Sequence, residues 1–327
     1  MSPTAHHPAV AAYLDALRAA GKASTARTYG HYLATFAAWA SATGVDILRA
    51  TTDQLAGYQL WLAQDRPART GQVRARTTQA TAIIVVQSFY DWMLRRNLIV
   101  HDPAAPLTPP SQPVNRMVRK DHLTLQEATA LIQTQAAIVA EQTGPRDRAR
   151  EQRNLALLSL MLATGRRVQG LTDLGVAQID LERNELRVER EKGRTGRVLP
   201  VAAWAMATVR DYLAAARPIL AEDCPDSPWL LVSQRTERLT TRAVSFLLRI
   251  AIQATIARNP DLTDLPRKRI STHSLRVSFA TLLFQGGCGI RSINELMLHQ
   301  TLSTTARYTP IPMADLRRAL ATTHLRA

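Results

Sequence analysis

Apolar side chains recur every three or four positions through the first hundred residues, the period of an amphipathic helix. Ala9 to Ala20 carries that spacing, and a second run passes through Tyr29, Leu33, Phe36 and Trp39. Ser24 is placed to cap the second run and Gly44 to end it. Thr52-Asp53 opens a third, with Leu55, Tyr58 and Leu62 on one face, before a break from Pro67 to Gly71. In the fourth, Ala82, Val85, Val86, Phe89, Tyr90 and Met93 form a single stripe, and Arg95-Arg96 fall in the last turn, where the helix dipole favours cations. The pattern predicts a bundle of four or so helices over residues 9–100, behind a loose tail at 1–8.

His101 to Arg119 breaks the periodicity. Pro103, Pro106, Pro109, Pro110 and Pro113 rule out a helix and suit a semi-rigid extended linker over 101–120. Thr124-Leu-Gln-Glu127 then has the capping-box arrangement that opens a new helix. Gly144 to Arg153, carrying Arg146, Arg148, Arg150 and Arg153, reads as a solvated loop, with direct contact to a polyanion as the alternative. A strongly apolar helix runs from Asn154 to Ala163-Thr-Gly-Arg-Arg167. Between Ile179 and Pro200 the period changes to two: Leu186-Arg-Val188 and Arg197-Val-Leu199 alternate as strands around Lys192-Gly-Arg-Thr-Gly196. Helical spacing returns at Ala203–Ala215, Thr241–Ile256, Ser274–Gln285, Ile290–Leu298 and from Thr304 onward. The expected fold is mainly α with a small antiparallel β-sheet, in two domains, the second over 121–312, with a tail helix at 313–327.

Charge changes the picture more than length does. The 327 residues carry a formal charge of +15, with 46% hydrophobic and 20% charged positions, which describes a globular chain whose partner is a polyanion. Nucleic acid ranks ahead of an anionic membrane. Arginine far outnumbers lysine, as bidentate phosphate binding favours, although a GC-rich genome produces the same bias. The aromatics of the fourth helix fit a core better than a base-stacking platform. Cys224 and Cys288 form neither a disulfide framework nor a zinc site, no run is long enough to span a membrane, and the N-terminus lacks a signal peptide, so a cytoplasmic protein is expected.

The candidate chemistry gathers late in the chain. His273 and Arg276 are three apart and share a helix face; Leu298-His299 and Thr304-Thr305-Ala306-Arg307-Tyr308 follow in order. Arg167 follows a buried-looking helix and a Thr-Gly pair, and Lys192 sits at a hairpin tip. Phosphoryl transfer without a metal needs this inventory: a nucleophile, cations for the non-bridging oxygens, and groups that move protons.

Four segments resemble those of the tyrosine recombinases, the phage integrases and their relatives. Ala163-Thr-Gly-Arg-Arg167-Val-Gln-Gly-Leu-Thr-Asp-Leu174 is similar to the family's first arginine box, and Glu191-Lys192-Gly-Arg-Thr-Gly-Arg-Val-Leu-Pro200 to its β-hairpin lysine segment. His273-Ser-Leu-Arg276-Val-Ser-Phe-Ala-Thr281 and Leu296-Met-Leu-His299-Gln-Thr-Leu-Ser-Thr-Thr-Ala-Arg-Tyr308 are similar to the second and third. The resemblance spans roughly residues 8 to 318. It implies a SAM-like core-DNA-binding bundle followed by a catalytic domain that cleaves and rejoins duplex DNA through a 3′-phosphotyrosine. It also implies roles: Tyr308 as nucleophile, Arg167 and Arg276 as the phosphate clamp, Lys192 as general acid, His273 in acid–base work and His299 as a phosphate hydrogen bond. Double-stranded DNA is the implied partner, with a homodimer at each site and a tetramer in the synapse; no metal, ATP or other cofactor is implied. The tail, with Leu316 and Leu320, docks on a neighbouring protomer or packs on its own domain. A type IB topoisomerase and a catalytically silent DNA-binding protein are the alternatives. Val277, Leu298 and Arg166 depart from the family pattern, and Gly170 stands where an acid usually supports the first arginine, with Asp173 as a possible substitute.

Overall fold

The computed structural model describes residues 7–68, 70–111, 121–188, 196–233 and 237–297. The chain divides into two units, Met1–Val118 and Arg119–Ala327.

Four helices build the first unit: α1 (Pro8–Ala19), α2 (Ala23–Thr43), α3 (Thr52–Gln64) and α4 (Arg76–Arg95). Each predicted stripe turns inward. Leu33, Phe36, Leu55, Tyr58, Ile83, Val86, Phe89, Tyr90 and Met93 are fully buried together. The aromatics of α4 therefore belong to the core, where Phe89 and Tyr90 meet edge to face. Tyr90 satisfies its hydroxyl by donating to the Ile47 carbonyl at 2.9 Å. Gly44 ends α2 in the left-handed conformation, at φ 71°. Ser24 is not the cap of that helix: Lys22 holds the position without a side-chain bond, and the helix has begun at Ala23. Thr51 caps α3 through a reciprocal box with Gln54.

The proline-rich stretch also differs from expectation over its first part. Ala104 and Leu107 are buried in the bundle's core, and Gln87 Nε2 donates to both their carbonyls. Asp102 accepts the Ala104 N–H and Gln59 donates to the Thr108 carbonyl. Prolines forbid a helix here, but two apolar side chains and these hydrogen bonds fold the stretch back on the bundle instead of leaving it extended.

In the second unit α5 (Leu125–Glu141) starts at the Thr124–Glu127 capping box, and α6 (Pro145–Thr164) is the axial element. Ala156, Leu157, Leu158, Leu160 and Met161 are buried, so the second half of α6 is apolar around most of its circumference, as a central helix must be. The expected loop at Gly144–Arg153 is the first turns of this helix. Pro145 occupies its first turn, Asp147 favours the dipole, and Arg146 and Arg150 point out to pair with Glu222 and Asp147. Arg153 is buried and donates to the Val232 carbonyl at 3.0 Å.

A short α7 (Val168–Thr172) leads to three antiparallel strands, β1 (Ile179–Asp180), β2 (Glu185–Val188) and β3 (Arg197–Pro200). Leu186 pairs with Leu199 and Val188 with Arg197, which puts Leu186, Val188 and Leu199 on the core face. The alternation reveals β2 and β3; β1 is too short to show a period. Beyond lie α8 (Ala203–Asp211), a π turn at Tyr212–Ala216, α9 (Arg217–Leu220), α10 (Thr241–Arg258), α11 (Thr272–Gln285) and α12 (Ile290–Leu296). Among the described residues no helix is long and apolar enough to cross a membrane.

Candidate functional site

Gly165 closes α6 in the left-handed conformation, at φ 56°, a cost only glycine escapes. It is needed there twice over, because a Cβ would lie 2.3 Å from Phe279 Cδ1. The phenyl ring of α11 thus presses directly on the turn that leads to Arg167. Arg167 caps α7 with its side chain exposed, and among the described residues no hydrogen bond or ion pair engages its guanidinium.

On α11 the chain begins with Ser271, whose hydroxyl accepts the Ser274 N–H. His273 lies in the first turn and is exposed; Arg276, one turn on, is 3% exposed. Arg276 reaches in two directions. Its Nη1 donates to the Gly165 carbonyl at 2.5 Å and its Nη2 to the Met297 carbonyl at 2.8 Å. One guanidinium therefore joins the turn before Arg167, the helix of His273, and the end of α12, two residues short of His299. Ser278 fixes α11 from behind, accepting the Leu123 N–H at 2.8 Å.

Two more links converge here. Lys268, just ahead of α11, donates to both oxygens of Glu127, 2.7 and 2.6 Å away, and the carboxylate is 3% exposed. Arg197 of β3 pairs with Glu295 of α12, connecting the hairpin to the helix that leads to His299. Lys268 has no motif context in the sequence, and a separation of 141 residues hides its partner.

Beside Arg167 lies an open depression of about 570 Å³, lined by Arg166, Arg167, Gln169, Gly170, Asp173 and Trp229 among others. Asp173 accepts from Gln169 Nε2 at 2.9 and 2.7 Å and pairs with Arg238, which also stacks over Trp229 at 4.7 Å. It is thus committed to Arg238 and does not stand in for the acid that position 170 lacks. Cys224 and Cys288 are free, and among the described residues no group of three His, Cys, Asp or Glu side chains is placed to hold a metal.

Arg276 is thus bonded to the turn that precedes Arg167 and to the end of α12, and His273 lies one turn earlier on the same helix as Arg276. Lys192, His299 and Tyr308 lie outside the described residues.

Residues 122–314 match the Phage integrase family and residues 10–97 the Phage integrase, N-terminal SAM-like domain. Tyrosine recombinase XerC of Mycobacterium sp. (strain KMS) is 33% identical over 268 residues, covering 82% of this chain and 81% of its own. Tyrosine recombinase XerD of Corynebacterium glutamicum is 29% identical over 307 residues, 93% of each chain. In fold, the chain resembles the XerH site-specific recombinase in a post-cleavage complex with palindromic difH substrate (TM-score 0.67, 19% identity, 91% of this chain and 79% of that one). It also resembles a lambda integrase dimer bound to a COC′ core site (TM-score 0.59, 17% identity, 92% and 76%).

Proposed function

Because the chain belongs to the phage integrase family and is a tyrosine recombinase, we propose that it binds duplex DNA and exchanges strands at a specific site through a covalent phosphotyrosine on Tyr308. The Tyr308 hydroxyl oxygen attacks the scissile phosphorus, the bond to the 5′ oxygen breaks, and that oxygen takes a proton from Lys192. A 3′-phosphotyrosine and a free 5′ hydroxyl remain. The 5′ hydroxyl of a partner duplex then attacks the phosphotyrosine and returns the phenol, so the bond energy is conserved without an external source. Arg167 and Arg276 hold the non-bridging oxygens as negative charge develops, His273 moves the phenol proton, and His299 donates to a phosphate oxygen.

The observation that carries this reading is the two-way reach of Arg276, from Gly165 to Met297. A guanidinium has five N–H donors in a rigid fork, enough to order two carbonyls and still address an oxyanion. The tyrosine inventory also supports Tyr308. Of the seven tyrosines, Tyr13, Tyr29, Tyr32, Tyr58 and Tyr90 belong to the helical bundle, most of them within its aromatic cluster. Tyr212 is buried, donates to the Leu230 carbonyl, and has its phenol pushed up to about 12 by desolvation, the wrong direction for a nucleophile.

Two protomers on each site and four in the synapse complete the proposal, with residues 313–327 docking on a neighbouring protomer through Leu316 and Leu320. An apolar cleft of about 320 Å³ in the second unit supports it, lined by Leu125, Ile132, Leu162, Trp204 and Leu282. A chain ending at residue 312 is then expected to cleave single sites but assemble synapses poorly on native gels.

Covalent trapping tests the central claim. The protein is incubated with sheared DNA flanking its own gene, stopped with detergent, and the attached DNA sequenced. Adducts at one recurring inverted-repeat site, absent from Tyr308→Phe, are expected. Adducts that persist in Tyr308→Phe refute the nucleophile. Tight, salt-sensitive binding with no adduct in the wild type indicates a silent binder.

A further inference from the structure

The carboxylate of Glu127 stands at a junction. It is 3% exposed, and its Oε2 accepts the Thr124 N–H at 2.7 Å as one half of the box that starts α5. Both of its oxygens also accept from Lys268 Nζ, at 2.7 and 2.6 Å. The box and the helix dipole fix the carboxylate in the first turn of α5, so it is Lys268 that the pair locates. The lysine side chain is largely shielded from solvent, at 20% exposure.

Lys268 in turn locates the approach to α11, because it stands in the stretch that leads directly to His273. The Arg269 N–H donates to Asp121 Oδ2 at 2.7 Å, and the Arg269 carbonyl accepts from Ser274 Oγ at 3.4 Å. Ser271 and Ser274 exchange backbone-to-hydroxyl bonds of 3.1 and 3.2 Å, which close the first turn around His273. The Ser274 carbonyl accepts from Ser278 Oγ, which itself accepts the Leu123 N–H. Residues 121–127 therefore hold α11 both ahead of His273 and behind it, across separations of 141 to 155 residues. Arg276 has further anchors of its own, the Gly165 and Met297 carbonyls.

Replacing a buried ion pair by apolar side chains often costs little stability, whereas hydrophobic contact is non-directional. The distinct contribution of such a pair is geometric. We propose that Glu127 and Lys268 are positioning residues that set His273 for proton transfer in strand cleavage. They act through the turn that carries it and not by touching DNA. The inference rests on the recombinase reading above and supplies the support of one of its groups.

The decisive variant is E127M/K268M, which removes the pair and leaves no buried charge behind. K268R, H273A and the triple E127M/K268M/H273A accompany it. Each is assayed for single-turnover cleavage at saturating duplex, for DNA affinity at several salt concentrations, and for urea unfolding. Acid–base groups contribute roughly 100-fold or more, and a small misplacement forfeits much of that, so E127M/K268M should cleave roughly 10- to 100-fold more slowly. Its stability and its DNA affinity should stay close to wild type. K268R, which keeps a cation on the carboxylate, should remain within about fivefold of wild type. In H273A the pair has nothing left to position, so the triple variant should cleave within about threefold of H273A.

A folded E127M/K268M that cleaves at the wild-type rate overturns the inference and makes the pair a purely structural one. So does a loss carried by DNA affinity alone, a loss that repeats in full on top of H273A, or a K268R that falls as far as the double variant. If E127M/K268M does not fold, E127Q/K268M decides, since glutamine keeps the capping box of α5; wild-type cleavage there also overturns the inference. Failure of the wild type itself to form an adduct defeats the recombinase reading, a separate result.

Discussion

Replacing Gly165 with alanine tests whether the turn before Arg167 is the keystone of the site. Two costs add. Alanine at φ 56° pays for the left-handed conformation, about 1–2 kcal/mol. Its Cβ would also lie 2.3 Å from Phe279 Cδ1 and 2.8 Å from Cγ, both far inside van der Waals contact, so the ring must move. Overpacking of this kind costs roughly 1–3 kcal/mol. The sum, about 2–5 kcal/mol, is a large part of a domain's stability. Phe279→Leu removes the ring but not the backbone strain, so the two substitutions should not add. In a double-mutant cycle by urea unfolding of the full chain, the coupling should recover about 1–3 kcal/mol, the steric share alone. Cleavage should fall more than stability implies, because the carbonyl that Arg276 holds belongs to the residue being moved. Strict additivity of the two substitutions, or unchanged cleavage in Gly165→Ala, would refute the reasoning.

Arg276→Lys loses the fork that spans two carbonyls, and single-turnover cleavage should drop ~100-fold or more while circular dichroism stays native. Lys268→Met strands the buried Glu127 carboxylate and should cost roughly 3–5 kcal/mol in denaturant unfolding, with much of that regained when Glu127 is made apolar as well. Tyr212 is raised to about 12 from an ordinary value near 10, so the fold prefers its neutral phenol; that contribution, roughly 2–3 kcal/mol, is complete below pH 10 and lost as pH climbs to 12. Tyr212→Phe should accordingly flatten the alkaline fall in stability of the second unit, and an unchanged slope would contradict the burial argument. Binding to the recurring site should weaken about a thousandfold or more between 50 and 200 mM salt if several phosphates are contacted, read by fluorescence anisotropy.

Local signals carried much of the architecture. Periodicity marked every long helix of the first unit, because a helix facing one core repeats its apolar residues at its own pitch. The Thr124–Glu127 box announced α5 because its bonds span three residues. Composition misled where context reverses its meaning. The polar face of a helix's first turns has the residues of a solvated loop, so Gly144–Arg153 read as a loop although α6 begins there. Prolines at 103 and 106 read as a spacer because nothing local reveals that Ala104 and Leu107 have a core to enter.

Most of the helices, the two longer strands, the family and the order of its motifs were legible along the chain, since each depends on residues a few positions apart. How the first and second arginine motifs come together is visible in the packing alone. Arg276 reaches across 111 residues to Gly165 and 21 to Met297, Phe279 seats against a glycine on another helix, and Arg166 fills a space left by Gly170. Such contacts leave no periodic trace, because the chain between them is free to be any length that the packing of α6, α11 and α12 allows.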